Sequence, residues 1–222
     1  HIPYQQIHIT SAYLEGAILT HTRKLGVVTK NKPYNVVKEN KFSGAFVKVP
    51  EPGRYEWIYD LDLTSLYPSI IMTVNIGKET MVGRIMDADD RNNRLGLNDL
   101  EAMDPKKELC VENPQRQQTY IKCSKIIETI KTNNLAISAN GVMYRTDKKS
   151  VLSTILAKWF DERVEYKGYM KKEYKSGNKE KGAFWHQRQH TMKILLNSLY
   201  GATALGSFRY GSVILSESIT LS

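Results

Sequence analysis

A polar turn inside an apolar stretch is the first place in this sequence where the residue types could do chemistry. Residues 60–71 read DLDLTSLYPSII, in which Asp62 is followed by hydroxyl groups, a tyrosine and a proline. The preceding RYEWIYDLD alternates like a half-buried strand, which predicts Asp62 near the exit of that strand. Pro68 suits the first turn of a helix, so PSIIMTVN predicts a short helix directly after the turn.

This turn predicts a site for an anion together with a hard cation. The amides from Leu63 to Tyr67 lie at the entrance of the predicted helix, and amides in that position favour anions such as phosphate. Asp62 beside them offers the oxygen ligand that a hard divalent cation prefers, and such a cation often bridges to substrate phosphates. A capping Asp beside a core Tyr is the structural alternative, and the stretch alone leaves both open.

Two long helices are predicted after residue 150. The first runs from about residue 153 to 174 and carries Arg163 and Lys167 one turn apart on one face. Its predicted core positions are four apolar residues, Ile155, Trp159, Phe160 and Val164. The second is predicted over HQRQHTMKILLNSLYGATAL, after an exposed turn at KSGNKEKG.

The second helix places polar residues on one stripe. Gln189, Lys193 and Asn197 recur four apart, and Tyr200 and Gly201 continue the stripe. Two antiparallel helices would present their cations on the same side. A solvated charge is the ordinary explanation of any single Lys or Arg. A triphosphate, however, needs cations that hold its oxygens, and the Asp62 turn in the same chain favours that function.

The composition is that of a globular chain with a polyanionic partner. The 222 residues include 32 Lys+Arg and 23 Asp+Glu, for a net charge of +9, and the length allows one large domain or two small ones. Cys110 and Cys123 show neither metal-ligand spacing nor a disulfide framework, which predicts two ordinary thiols and a reducing compartment. No apolar stretch is long enough to span a membrane, so we expect no membrane partner.

The remaining segments predict structure rather than chemistry. Residues 1–33 predict short strands and turns, and GAFV is expected to begin a core together with the strand before Asp62. Residues 87–131 are polar, with a surface helix near Ile121 to Ile130. NGVMYR with TDKKS predicts a hairpin or turn ahead of the first long helix. The start HIPYQQIHIT lacks an initiator Met and a signal-peptide pattern, so we expect the chain to begin inside a longer product or to have been trimmed.

Two motifs, in order, resemble those of one enzyme family. DLTSLYPSII resembles the first catalytic motif of family B DNA polymerases, and KILLNSLYGA resembles their second, with FDERVEYKGYM between them. The wording GAFVKVPEPGRY before the first motif, together with NSLYGA, is most similar to polymerases of T4-like bacteriophages. The likeness covers most of the chain from about residue 34 and is looser before that and through residues 87–135.

The resemblance implies a role for each matching position of the turn. Asp62 would ligate the catalytic metals, and the Leu63 carbonyl would complete the metal shell. Ser65 and Leu66 would lie along the triphosphate through their amides. Tyr67 would stack under the incoming sugar and block a ribose 2′-hydroxyl.

The resemblance also implies roles for residues of the two long helices. Three cations would bind the phosphates: Arg163, Lys167 and Lys193. Lys193 and Asp62 would be the catalytic residues of this chain. Asn197 would help to hold the nucleotide, and Tyr200 and Gly201 would lie at the nascent base pair. The implied reaction is attack of a primer 3′-hydroxyl on the α-phosphate of a dNTP, with two Mg²⁺ ions as cofactors and primer–template DNA as partner.

One departure from the family limits what this chain is expected to do. The family needs a second aspartate from a later DTD hairpin, and no DTD follows Tyr200 in this sequence. If the chain were active alone, a carboxylate such as Asp60 or Glu217 would have to replace that aspartate. We therefore expect an inactive chain that needs a complementary polymerase fragment carrying the DTD motif and the thumb, and that acts in the cytoplasm of an infected bacterial host.

The expected fold is α+β, a partial palm of antiparallel sheet and helices that carries a helical-hairpin fingers domain. The expected divisions are the end of an N-terminal region (1–33), the first part of the palm (34–149), the fingers (150–205) and the start of a second palm segment (206–222). Two alternatives stay open. One is a non-catalytic nucleotide- or DNA-binding assembly module of a split replicase, and the other is a related protein-primed or RNA-synthesising enzyme. Tyr67 argues against RNA synthesis, because a bulky ring there would exclude the ribonucleotide hydroxyl.

Overall fold

The computed structural model describes residues 6, 9–32, 48–90 and 95–222 of the chain. Helices and strands within those ranges make an α+β fold, as predicted. The helices are α1 (Thr10–Lys24), α2 (Leu66–Val74), α3 (Leu97–Ala102), α4 (Cys123–Thr132), α5 (Val151–Lys175), α6 (Lys179–Thr203) and α7 (Val213–Leu221). The strands are β1 (Met81–Asp87), β2 (Glu108–Glu112), β3 (Gln118–Lys122), β4 (Ala136–Ile137) and β5 (Val142–Tyr144).

The five strands form one antiparallel sheet in the order β3-β2-β1-β5-β4. Successive side chains of a strand point to opposite faces, and β5 shows the consequence. Val142 and Tyr144 enter the core built by the long helices, whereas Met143 enters a smaller core with residues of β1, β2, α3 and α4. Strand β5 is therefore covered on both of its faces.

Helices α5 and α6 form a long antiparallel hairpin. Each has 25 residues, which corresponds to a length of about 37 Å at 1.5 Å per residue. Ser150 and Asn178 begin the two helices, and each side chain accepts a hydrogen bond from the amide three residues later. A Cβ atom on Gly182 would lie 2.6 Å from the ring of Tyr174, so glycine lets the helices approach closely here.

The short helix α2, which follows the polar turn, packs against α5, α6 and α7. Its C-terminal end is fixed by Asn75, which is buried and adopts a left-handed conformation with φ 61°. The Asn75 side chain donates to the carbonyl oxygens of Arg145 and Lys148 and accepts from the amide of Ser150, each at 2.8 Å. These bonds attach α2 to the segment between β5 and α5.

A buried polar network joins α7 to the sheet. The Tyr144 hydroxyl donates to Ser218 Oγ at 2.8 Å, and the Ser218 hydroxyl donates to Asn140 Oδ1 at 2.9 Å. Ser138 donates to the same amide oxygen at 2.6 Å. Burial raises the pKa of Tyr144, so its hydroxyl remains a donor at physiological pH. The network holds α7 against the β4–β5 hairpin.

Two predictions about elements are wrong. Residues 10–24 form helix α1 instead of short strands, because Leu14 and Ile18, four positions apart, are fully buried on one side of a helix. Residues 55–61 are irregular instead of a half-buried strand, and Trp57, Tyr59 and Leu61 are 95%, 91% and 90% exposed. The described sheet does not include this stretch, and a strand needs a neighbour to pair its backbone groups.

The other predicted elements are confirmed. Helices α2, α4, α5 and α6 and the β4–β5 hairpin all lie where the sequence predicts them, although α2 begins at Leu66 and α6 already at Lys179. The prediction that Val164 faces the core is wrong, since this side chain is 56% exposed on the part of α5 that extends toward the turn. The sequence also does not predict β2, β3 and α3 within residues 87–131.

Three further expectations concern the core, the thiols and the membrane. The GAFV stretch, at 44–47, lies outside the described residues. Cys110 and Cys123 are buried free thiols, as predicted. In the part of the chain that the structure describes, every helix is too short or too polar to cross a membrane.

Candidate nucleotide site

The Asp62 turn lies at the N-terminal end of α2. Ser65 caps this helix in a left-handed conformation, with φ 55° and ψ 50°, which costs a residue other than glycine about 1–2 kcal/mol. The helix begins at Leu66, and the first amides of a helix have no partner within it. Asp62 and Leu63 precede the helix and are exposed. The turn therefore presents a carboxylate and backbone donors to solvent at one place.

Arg163 links α5 to this turn. Its Nη1 donates a hydrogen bond to Ser65 Oγ at 3.2 Å. The side chain is half-buried, and its buried Nε has no hydrogen-bond partner among the residues that the structure describes. An unpaired N–H of a buried cation is costly, and it calls for an explanation such as strain, a catalytic role, a water or an ion. The structure thus places a cationic donor at the entrance of α2.

Two tyrosines stack beside the same helix. Tyr67 on α2 and Tyr200 on α6 have ring centroids 4.1 Å apart and planes inclined by 20°. The Tyr200 hydroxyl lies 2.9 Å from Thr220 Oγ1 on α7. Because Thr220 donates its proton to the Ser216 carbonyl at 2.8 Å, Tyr200 is the donor to Thr220. Sequence reasoning misses Thr220, since no local spacing relates it to Tyr200.

The remaining residues predicted to contact the nucleotide lie on the exposed sides of the two long helices, whereas Gln189, predicted on the same stripe, is buried. Lys167 is exposed on α5, one turn beyond the arginine that contacts Ser65. Lys193 and Asn197 are exposed on α6, two turns and one turn before Tyr200. A Cβ atom on Gly201 would meet no atom within 4 Å. Open space therefore adjoins the stacked tyrosines on this helix.

The structure brings together four of the predicted residues from three separate segments: Ser65, Tyr67, Arg163 and Tyr200. Asp62 is exposed, and among the ion pairs of the described ranges none joins it to a cation of the long helices. Within the described ranges the Asp62 carboxylate is thus not neutralised by an ion pair with these cations.

The oxygen ligands at the turn are of the type that magnesium prefers, but they are few. The Asp62 carboxylate and the Leu63 carbonyl are hard oxygen donors, which Mg²⁺ prefers. Across the described ranges, no group of three or more His, Cys, Asp or Glu residues could hold a metal ion. Of the two carboxylates considered as replacements for the second aspartate, Glu217 is buried, 2% exposed, and accepts a hydrogen bond of 3.3 Å from Asn140, so it belongs to the α7 network. Asp60 is exposed, like Asp62.

Comparison with known proteins assigns the chain to a family. The model of DNA polymerase family B matches residues 5–222. The chain belongs to DNA polymerase family B. This confirms the family predicted from the two motifs, and the T4-like phage type agrees with a match to the DNA-directed DNA polymerase of Escherichia phage RB69, which is 35% identical over 129 residues.

The family B chain matches only part of its relatives. The RB69 match covers 58% of this chain and 11% of that protein. A DNA polymerase of Pyrococcus glycovorans is 26% identical over 216 residues, which are 95% of this chain and 22% of the relative. The solved family B DNA polymerase of Pyrobaculum calidifontis matches with a TM-score of 0.58 and 18% identity, over 96% of this chain and 22% of that chain; at this identity the likeness shows the fold alone.

Proposed function

We propose that the chain is part of a template-directed DNA polymerase that transfers a deoxynucleotide from a dNTP to a primer 3′-hydroxyl. The α5–α6 hairpin would be its fingers domain, within residues 150–205, and residues 34–149 and 206–222 would belong to the palm. The observation that carries this proposal is the position of Arg163, whose guanidinium contacts Ser65 at the entrance of α2 and keeps one buried N–H without a described partner. A cation beside free helix amides is suited to a phosphate.

The stacked tyrosines support the placement of the sugar and base. Tyr67 would lie under the incoming sugar and fill the space beside its 2′ carbon, and Tyr200 and Gly201 would lie at the nascent base pair. The phosphates would then extend along the amides of Ser65 and Leu66. The side chains that grip them would be Arg163, Lys167 and Lys193, with Asn197 as a further contact.

Magnesium, when bound, would supply the positive charge that stabilises the attacking and leaving oxygens. Asp62 and the Leu63 carbonyl would be this chain's ligands for it. One carboxylate holds magnesium weakly unless a triphosphate brings the ion, since magnesium keeps its waters and relies on carboxylates plus phosphates. The cations of the hairpin would offset the phosphate charge that develops during transfer.

The exposed apolar side chains on both sides of Asp62 in the sequence support a docking partner. Six of them lie within nine residues and are 58–95% exposed: Tyr55, Trp57, Ile58, Tyr59, Leu61 and Leu63. Exposed apolar clusters of this kind mark interaction surfaces. The partner would be a complementary polymerase fragment that carries the DTD motif and the thumb, and the 222-residue chain tested by itself would not extend a primer. The basic net charge of +9 suits primer–template DNA.

A second candidate is a non-catalytic assembly module of a split replicase, and the same exposed apolar stretch favours it. A related protein-primed polymerase would use the same turn and hairpin. A T4-like phage enzyme among the relatives supports the proposal that the protein acts in the cytoplasm of an infected bacterial host.

The direct test of the nucleotide site is equilibrium binding of a dNTP with magnesium. Arg163→Ala and Lys193→Ala should each weaken binding about tenfold or more, because each removes a charge-assisted contact. Circular dichroism should show that both variants remain folded. Unchanged affinity in both variants would reject the site.

A further inference from the structure

A stripe of side chains on α6 continues beyond Lys193 with two exposed histidines. His186, His190, Lys193, Asn197 and Tyr200 are separated by three or four positions, so they lie on one side of the helix. His190 is about 4.5 Å from Lys193 along the helix axis, and His186 lies one further turn away. The side of α6 that carries the proposed nucleotide contacts therefore extends beyond Lys193 to His190 and His186.

The direction of the nucleotide in the proposed site determines which end of the molecule these histidines could contact. In the proposed site the base lies at Tyr200 and the phosphates lie at Lys193, about 10 Å apart along the axis of α6. The triphosphate then points away from Tyr200 and toward the turn between α5 and α6. The next exposed side chain of the stripe in that direction is His190.

We propose that His190 binds the terminal phosphate of the dNTP and the pyrophosphate released from it. This proposal rests on the proposed nucleotide site. An imidazole keeps an N–H donor in both its neutral and its protonated form, so it can bond a phosphate oxygen in either state. The ring of His186 is parallel to that of His190 within 6°, with centroids 6.3 Å apart.

Arg188 provides a matched control on the same helix. It is exposed, and its guanidinium lies over the ring of Phe184, 5.2 Å from the centroid. Two positions along a helix correspond to a rotation of about 200°, so Arg188 lies on the opposite side from His190. Arg188→Ala thus removes a positive charge from the same part of α6 without altering the stripe.

The test is binding of inorganic pyrophosphate, a dNTP and the matching dNMP to the full 222-residue chain, measured by titration calorimetry with magnesium. His190→Ala should weaken the binding of pyrophosphate and dNTP about three- to tenfold, the range for one lost hydrogen bond. The affinity for dNMP should not change, because dNMP lacks the terminal phosphates. His190→Gln, which keeps an N–H donor, should restore part of the loss, and Arg188→Ala should bind all three ligands normally.

The possible outcomes separate this proposal from the one on which it rests. If Lys193→Ala weakens dNTP binding and His190→Ala does not, the His190 contact is wrong and the nucleotide site stands. If neither variant changes binding, or the unaltered chain binds neither pyrophosphate nor dNTP, both proposals fail. An equal loss for dNMP, or an equal loss in Arg188→Ala, would also overturn the His190 contact, since neither result requires the terminal phosphates to meet this side chain.

Discussion

The replacement Asn75→Ala tests how the short helix beside the Asp62 turn is held in place. Asn75 is 2% exposed and makes three side-chain hydrogen bonds of 2.8 Å, two to carbonyl oxygens before α5 and one from the amide of Ser150. Alanine would remove all three bonds while keeping a Cβ atom in a left-handed conformation. The end of α2 would then lose its attachment to the β5–α5 segment.

The expected loss of stability follows from these contacts. At about 1 kcal/mol for each hydrogen bond, the three bonds account for about 3 kcal/mol. The left-handed conformation with φ 61° costs alanine about as much as asparagine, since both carry a Cβ atom, whereas glycine avoids about 1 kcal/mol of that cost. We therefore expect Asn75→Ala to lower the free energy of unfolding by about 3 kcal/mol and Asn75→Gly, which lacks the Cβ atom, to lower it by about 2 kcal/mol.

Urea unfolding followed by far-ultraviolet circular dichroism measures both variants. Asn133→Ala is the control, because Asn133 is exposed and makes one side-chain bond, to the Thr129 carbonyl at 3.0 Å; its effect should stay within about 0.5 kcal/mol. A loss under about 1 kcal/mol for Asn75→Ala, or a glycine variant less stable than the alanine variant, would refute the reasoning.

Three further predictions concern other contacts. The hydrogen bond from Lys107, at 2.8 Å, holds the pKa of Asp87 below its usual range, so the bond stabilises the folded chain above the unfolded pKa of Asp87 and that stabilisation is lost as pH falls. Asp87→Asn should therefore flatten the acid side of the curve of unfolding free energy against pH. An unchanged curve would count against this role of the bond. Tyr200→Phe removes the 2.9 Å bond to Thr220 and should cost about 0.5–1.5 kcal/mol in urea unfolding, whereas no loss would show the bond to be unimportant. In a completed enzyme, Tyr67→Ala should raise the specificity constant for a ribonucleotide relative to the deoxyribonucleotide, and an unaltered ratio would exclude the steric role.

Local patterns predict much of the helical part of the fold. The start of α2 follows from the turn residues and Pro68, and α5 and α6 follow from their apolar periodicity, because a helix records its packing side every three or four residues. The same rule would have found α1 through Leu14 and Ile18, which are buried four positions apart.

Strands are predicted less well because their stability depends on a neighbour. The alternation at residues 55–61 satisfies the pattern of a strand, yet the described sheet does not pair with that stretch. Conversely, β2 and β3 lie in a polar segment and form because they pair with each other, and β2 also pairs with β1. An alternating pattern identifies a face but cannot identify a partner.

For the candidate site, too, local motifs can be predicted from the sequence but long-range contacts cannot. The turn, the arginine and the lysines are visible in the sequence as motifs, whereas their contacts are not. Arg163 meets Ser65 across 98 positions of sequence, and Tyr200 meets Thr220 across 20 positions. Such contacts follow from the packing of α2 among α5, α6 and α7, which no local spacing specifies.

Primer extension with magnesium and dNTPs tests the central claim most directly. The purified chain would be assayed alone, and then mixed with a separately expressed fragment that carries the DTD hairpin and the thumb, with Asp62→Asn in this chain as the matched control. We predict no extension by the chain alone, extension on mixing, and loss of that extension in Asp62→Asn. Robust extension by the isolated chain, or extension that survives Asp62→Asn in the mixture, would contradict the account.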